Sequence, residues 1–561
     1  MALTSPESKA RAQGVLARLY AVRGVTDPLN TPQGLADLLD GQAMLGLQRA
    51  AEALALAVAR DEPILVIGDY DADGATGTAL AVRGLRLLGA AHVSYLIPDR
   101  AKEGYGLTPA IVARAAAFTP SWLMTVDNGI NSVEGAAEAE RLGMRLIITD
   151  HHLPGADLPD AYAIVNPNQK SDPFPSKAIS GVGVVLYLLI ALRRELGLRT
   201  VSLAPLLDLV ALGTIADCVP LDANNRLLVR EGLRRITAGR ACPGIEALLA
   251  VSGKRPEDVY AQDLGFQVGP RLNAAGRLAD MAVGVRCLLT DDRSEAMSLA
   301  QELDRLNRER RAREAEMQTD AEEQLAELST AGSLAPGICL MEPHWHPGIV
   351  GILAGRLKDR HKRPVIALAP AEPGYLRGSG RSVGCLNLRD TLASIAEQYP
   401  GLLKQFGGHA AAAGLTIKTV DWETLAAAFA REVERRVGRG PFEDRQTDGE
   451  LRPEELSLAL ALAIREGGPW GNGFPEPLFE GVFHVIESRL IKDQHLRLLA
   501  ALVGALDRPV KAMGFRVTEV APEGAVIRLR YRVGLDHYHG QQNLCLYFDE
   551  WSLVSLKERV R

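Results

Sequence analysis

Between residues 63 and about 167, short apolar runs alternate with Ala-rich amphipathic segments, and this alternation restricts the fold more than any other feature of the chain. PILVIG precedes ATGTALAVRGLRLLGA, HVSYLIP precedes TPAIVARAAAF, SWLMTV precedes SVEGAAEAERLGM, and RLIIT leads on to AYAIVNP. Strand-like runs separated by helical ones bury both sheet faces as βαβ units, so an α/β fold on a parallel sheet is expected. The chain has 561 residues, too many for one domain at roughly 150 residues each.

The remaining sequence divides further. Ser180 to about Thr290 reads as mostly helical, broken by ALGTIADCVPL, and is expected to cover the sheet. Ser294–Leu328 lacks Gly and Pro, is dense in charge, and predicts one solvated helix of about 50 Å bridging two domains. A second α/β pattern follows AGSLAPG and ends near GRGPFEDRQTDGE, and beyond it alternating strands such as FHVIESRLI and IRLRYRVGL predict a small β-barrel. The expected order is an N-terminal helical segment (1–45), a catalytic α/β domain (46–290), a connecting helix (291–330), a smaller α/β domain (331–440) and a barrel (445–561).

Hydrophobic residues make up 47% and charged residues 24%, the balance of a soluble globular protein. The longest apolar run, GVGVVLYLLIAL from Gly181, falls short of the roughly 20 residues that span a bilayer. MALTSPESKARAQG has no apolar h-region, and six cysteines without paired spacing suit a reducing compartment, so a cytoplasmic protein without membrane, disulfide framework or zinc knuckle is expected. A net charge of −6 argues against coating nucleic acid by bulk attraction, while permitting a local basic groove.

The acids carry the functional information. ILVIG runs into Asp69, Asp71 and Asp73; WLMTV runs into Asp127; LIIT runs into Asp150, His151 and His152; and Asp217 lies in the break GTIADCVP. Ligands of open parallel sheets bind beyond the carboxyl ends of the strands, so these groups should share one edge. Carboxylates gathered there repel one another unless cations neutralise them. Aspartates with one or two imidazoles suit Mn²⁺ or Mg²⁺ better than zinc, and two such ions about 3.5–4 Å apart serve phosphoester hydrolysis. Other readings fit less well. GDYDADG matches half an EF-hand loop, but Leu80 occupies the position of its final Glu; it also matches a haloacid-dehalogenase nucleophile motif, but Ala75 stands where Thr or Val belongs. A single acid such as Asp127 could be an ordinary helix N-cap.

Taken in order, GDYDADGATGTA, VDNG, TDHH and GTIADCVPL resemble the four motifs of the DHH phosphoesterases, and QFGGHAAAAG resembles the signature of their associated domain. PDRAKEGYGL, GPRLNAAGR, WHPGIVGI and GSGRS are similar to runs of the family's single-stranded-DNA exonucleases, and the terminal barrel resembles their oligonucleotide-binding (OB) fold. The resemblance implies that Asp71 and Asp73 each hold one metal, that Asp127 bridges both, and that His151 and Asp217 complete the second site. It implies that Asp150 orients its neighbour His151 and that His152 faces the scissile phosphate. Asp69 is either a ligand or a base behind the ligands.

Substrate contacts are expected from Arg100, Arg271, Arg277 and Arg381, arginines in Gly-rich or turn-like contexts where a guanidinium can fork onto phosphate, and from Asn273 between two of them. Ser379 joins Arg100 and Arg381 as the expected pocket for a terminal phosphate. Gly407 and Gly408, before His409, are expected to let backbone amides close on phosphate as an anion nest, with His409 otherwise a core histidine, and His346 reads equally as a structural or a substrate-facing residue. In the barrel, Arg528, Arg530 and Arg532 alternate with Ile527, Leu529 and Tyr531, giving either a DNA track or an ordinary solvated face. The implied activity is 5′ to 3′ exonucleolytic hydrolysis of single-stranded DNA to mononucleotides in recombination and repair, with a single-strand-binding protein and a helicase as partners. An oligoribonuclease or cyclic-dinucleotide phosphodiesterase of the same family is the nearest alternative, and an inactive DNA-binding scaffold a more distant one.

Overall fold

The computed structural model describes residues 5–25, 34–99, 103–330, 334–442, 447–515, 517–538 and 541–554. These described residues form two compact units, one drawn from those within 5–272, 281–300 and 447–554, the other from those within 273–280 and 301–442.

In the first unit, strands β1 (Ile64–Ile67), β2 (Val93–Leu96), β3 (Trp122–Val126), β4 (Arg145–Thr149) and β5 (Ala163–Val165) pair in the order β2-β1-β3-β4-β5. Every pairing is parallel. β1 and β3 are buried at every position, which explains their unbroken apolar runs. One face packs Leu65, Leu123 and Ile148 against Ile111 and Ala139 of the helices Pro109–Ala115 and Val133–Arg141. Over the other lies Ala72–Leu87, where Gly77 meets Val126 and Gly84 meets Leu189 of the helix Gly181–Glu195. The strand order reverses between β1 and β3, and a crevice opens at such a switch point, beyond the carboxyl ends of the strands.

The second unit holds β6 (Ile338–Met341), β7 (Val365–Pro370), β8 (Tyr375–Arg381), β9 (Gln405–Gly408) and β10 (Ala412–Lys418) in the order β6-β7-β8-β10-β9. Only β6 and β7 are parallel.

The barrel belongs to the first unit. β11 (Phe479–Ile491), β12 (His495–Leu502), β13 (Val510–Phe515), β14 (Val526–Tyr538) and β15 (Gln541–Leu553) close in the order β11-β12-β13-β15-β14, around Phe483, Leu529, Tyr531 and Phe548. The segment before it reaches back to the loop around residues 218–221: Leu221 N donates to Asn472 O at 2.7 Å, and Asn472 Nδ2 donates to the carbonyl of Cys218 at 2.8 Å. The helix Pro6–Val22 joins this layer through Tyr20 Oη, which donates to Gly467 O, and through the buried Arg23–Asp448 pair at 2.8 Å.

The helix Arg293–Thr330 is continuous but not solvated all round. Met317, Ala321 and Leu325 pack into an apolar cluster with Trp345 and Leu353, and the buried Arg310 and Glu314 pair at 2.7 Å. Its charge density hid this buried stripe, because charges on the same helix neutralise one another one turn apart.

Candidate active site

β1 ends at Ile67, and Asp71 then caps the helix Ala72–Leu87, its carboxylate accepting from Gly74 N at 3.0 Å. Asp73, one turn in, points to the N-terminus of the helix Gly181–Glu195. Its Oδ2 accepts from Gly181 N at 2.7 Å and its Oδ1 from Val182 N at 3.0 Å, so backbone amides and helix dipole hold a carboxylate that is 1% exposed. These two amides lie more than a hundred residues downstream, and nothing in the sequence near Asp73 points to them.

Asp127 is no helix cap. It sits after β3 with φ at +63°, followed by Gly129 at +112°, and this left-handed turn aims its buried side chain back over the strand ends. Asn128 braces the turn by donating to Ile67 O at 3.2 Å and Val126 O at 2.9 Å, tying the ends of β1 and β3 together. Asp217 ends the helix Leu207–Ala216, and Gly213 of that helix lies so close that a Cβ there would stand 2.8 Å from Asp73 Oδ1.

The loop after β4 is organised by Asp150. Its Oδ1 accepts from His151 N at 2.7 Å and His152 N at 3.1 Å and pairs with His152 Nδ1 at 2.7 Å, while its Oδ2 accepts from Ile130 N at 3.0 Å. Asp150 therefore orients the ring of His152, not that of His151 as the sequence suggested; the His151 ring bonds instead to the carbonyl of Ile179. Adjacent side chains leave a loop in different directions, and only one ring can reach the carboxylate behind it. Tyr105, singled out in the sequence only within a family-like run, places its hydroxyl 3.2 Å from the His152 ring.

Among the described residues three ligand groups result: Asp69, Asp71 and Asp127; Asp73, His151 and Asp217; and Asp127, His151 and His152, the donor atoms of each lying within 4.8 Å of one another. His151 Nε2 stands 3.0 Å from Asp127 Oδ1 and 3.5 Å from Asp217 Oδ2. Both His151 Nε2 and Asp127 Oδ1 are buried without a hydrogen-bond partner, which a cation between them would satisfy. Burial, then neighbouring carboxylates, pushes Asp73 up to about 7 and raises Asp127 and Asp217 well above the usual carboxylate range. Burial lowers His151 to about 4, leaving it neutral and able to coordinate. Burial alone would lower His152 as well, but its bond to Asp150 prevails and lifts it to about 9. A set of oxygen donors with one neutral imidazole, crowded by mutual repulsion, fits Mn²⁺ or Mg²⁺.

The substrate candidates fall in both units. Arg100 lies outside the described residues. Arg271 and Arg277 are not in loops: both belong to the helix Gly269–Leu278, because Pro270 is tolerated in a first turn and Ala-rich sequence continues it. Arg271 is 8% exposed and donates to Gln267 O, while Arg277 donates to Gly348 O at 2.7 Å. Asn273 lies on the same helix. His346 Nδ1 accepts from Gly348 N at 3.1 Å, just before the helix Val350–His361. On β8, Arg381 donates to Ser379 Oγ at 2.9 Å, and Gly351 packs beside them: a Cβ there would lie 2.9 Å from Ser379 Oγ and 3.1 Å from Arg381 Nη2. Gly408 lies in β9, paired with Ala413, so GGH forms a strand end and turn rather than a loop nest; His409 is exposed and its amide donates to Ala412 O. In the barrel, Arg530 faces Glu550 at 3.3 Å, and Arg532 pairs with Asp549 at 3.2 Å and Glu476 at 3.5 Å, so acids offset much of the expected basic face. Periodicity reveals a strand's face but not the charge opposite it.

Sequence and structure comparisons agree with this geometry. Residues 63–214 match the DHH family N-terminal domain, 335–438 the DHHA1 domain and 447–550 the RecJ OB domain. The chain is 46% identical over 554 residues to the single-stranded-DNA-specific exonuclease RecJ of Dickeya dadantii (strain 3937), covering 96% of each chain. It is 44% identical over 549 residues to that of Escherichia coli (strain K12), covering 95% of each. The crystal structure of RecJ in complex with Mn²⁺ from Thermus thermophilus superposes with a TM-score of 0.78 at 31% identity, over 99% of this chain and 79% of that one. The corresponding Mg²⁺ complex gives 0.73. With near full-length identity to named exonucleases and all three domains matched, the chain belongs to the RecJ family of single-stranded-DNA-specific exonucleases.

Proposed function

We propose that this protein hydrolyses single-stranded DNA from the 5′ end, releasing 5′-mononucleotides, by two-metal phosphodiester chemistry at the β1/β3 switch point. The observation that carries this reading is the convergence of Asp69, Asp71, Asp73, Asp127, His151 and Asp217 on one strand edge, with Asp127 Oδ1 and His151 Nε2 buried and unpartnered. Asp69, Asp71 and Asp127 would hold one ion, and Asp73, His151 and Asp217 the other, with Asp127 between them; this grouping favours Asp69 as a ligand. Bound metals supply an activated water and neutralise charge at the phosphate. The chain itself does the positioning. Gly181 and Val182 fix Asp73, Asn128 fixes the turn of Asp127, and Asp150 keeps His152 protonated toward the phosphate. Ser379, Arg381 and Arg100 are assigned to the terminal phosphate, and Arg271, Asn273, Arg277, His346, Gly408 and His409 to the path of the strand.

On the barrel, the reading moves from β14 to a cavity of about 390 Å³ lined by Arg497, Lys511, Phe515 and Tyr547. The Phe515 and Tyr547 rings stack at 6.0 Å there, and basic groups beside aromatic faces suit a single strand. No described helix is long and apolar enough to cross a membrane. The working context we infer is cytoplasmic recombination and repair, where a helicase exposes the strand and a single-strand-binding protein coats it.

The test is hydrolysis of end-labelled single- and double-stranded DNA and RNA with Mn²⁺ or Mg²⁺. Mononucleotides released from the 5′ end of single-stranded DNA support the reading; short oligomers, 3′ attack or a preference for RNA would defeat it.

A further inference from the structure

On its Asp217 side the acidic cluster adjoins an element that coordination leaves unused. Leu264–Val268 form one π-helical turn leading into the helix Gly269–Leu278, and such turns recur at functional positions. Leu264 and Val268 are buried. A Cβ on Gly265 would lie 3.2 Å from Ile215 Cγ2, and one on Gly269 would lie 3.0 Å from Ala216 Cβ. The turn is thus seated on the two residues that immediately precede Asp217. Phe266 projects away from that seat and is 76% exposed, against 58% for Phe515 and 48% for Tyr105. Further along the chain, the buried Arg271 is held by the carbonyl of Gln267.

We propose that Phe266 is a stacking platform for one unpaired base of the strand held at the metal site, a positioning residue that selects single-stranded over duplex DNA. This rests on the reading of the chain as a single-stranded-DNA exonuclease. Any base has a π-face, so stacking tolerates all sequences. In a duplex both faces of a base are already covered by its neighbours, and the platform gains nothing. Because two close glycine contacts seat the turn against Ile215 and Ala216, the stacked base would stand at a set distance from Asp217. A phenyl group this exposed contributes little to the fold and can be replaced without opening a cavity.

The experiment uses the full-length protein and a 5′-phosphorylated single-stranded decamer carrying 2-aminopurine at one position at a time, with Ca²⁺ replacing Mn²⁺ to spare the strand. Stacking quenches the probe. Wild type and Phe266→Trp should quench strongly at one or two adjacent positions. Phe266→Ala and Phe266→Leu should lose that quench and bind about five- to one-hundred-fold more weakly, since a base on an aromatic face is worth about that factor. Their dependence of affinity on salt should be unchanged, because no phosphate contact is lost. An unaltered quench in Phe266→Ala, a Phe266→Leu variant equal to wild type, or a drop in melting temperature with loss of signal at every position would each overturn the proposal. Wild type that neither binds nor cuts single-stranded DNA would instead overturn the functional reading beneath it.

Discussion

Gly181 tests the geometry of the metal site without replacing a ligand. It opens the helix whose first amides hold Asp73, and a Cβ there would stand 2.7 Å from both Cβ and Oδ1 of Asp127, about 0.7 Å inside the 3.4 Å at which ordinary contact begins. Asp127 cannot swing aside: it is 1% exposed, its backbone is left-handed, and Asn128 ties down the next residue. The strain must displace the carboxylate, the helix start or both, at a cost of about 1–3 kcal/mol for overpacking. A misplacement approaching 1 Å in a reacting array costs on the order of a hundredfold in rate. Gly181→Ala should therefore lower kcat/KM on single-stranded DNA by about thirty- to a hundredfold and shift the Mn²⁺ midpoint upward. Gly14→Ala serves as the comparison, since its added Cβ meets nothing within 4 Å and should leave activity unchanged. The pair is read by initial rates across a Mn²⁺ titration and by thermal melting. A Gly181→Ala enzyme within twofold of wild type at every Mn²⁺ concentration would refute the claim that the site depends on the close approach of Gly181 to Asp127.

Burial would raise the Glu455 carboxyl, but Arg18 and Arg452 at 2.9 Å hold it down to about 2 from the usual 4.5. A depressed carboxylate stabilises the fold above its unfolded pKa and loses that contribution as pH falls toward its folded one. Both arginines are more than half exposed, so the contribution is discounted to about 1–2 kcal/mol. Glu455→Gln should be less stable by that amount at neutral pH in denaturant unfolding, with the gap to wild type narrowing below about pH 4.5; a gap that stays constant would contradict the ion-pair account. Arg381→Ala should erase most of the preference for 5′-phosphorylated over 5′-hydroxyl ends with Mn²⁺ affinity intact, and a full preference would place recognition of the phosphate elsewhere. Phe515→Ala should weaken binding of long single strands about five- to a hundredfold without altering the metal midpoint; unchanged affinity would mean the strand does not cross that face of the barrel.

The parallel sheet and its acidic edge were legible because β1, β3 and β4 are short, largely apolar runs that end abruptly in acids, a pattern local in sequence. What escaped was long-range or set by register. Gly181 and Val182 meet Asp73 only once the helices stack. The bond from Asp150 to His152 depends on how one loop turns. Glu550 and Asp549 come to face Arg530 and Arg532 through cross-strand pairing that the alternation of β14 alone does not encode. The GGH run suggested a phosphate-binding loop because glycines permit one, yet β10 supplies a ladder and draws them into a strand. The helix Arg293–Thr330 hid its buried face for a related reason: its core stripe includes Arg310 and Glu314, polar residues made compatible with burial by each other.

The central claim, that this cluster binds two cations through a shared Asp127, is tested most directly by anomalous diffraction from crystals soaked in Mn²⁺. The account predicts two peaks about 3.5–4 Å apart, one against Asp69 and Asp71, the other against Asp73, His151 and Asp217, with Asp127 touching both. A single peak, or two peaks that do not share Asp127, would contradict it.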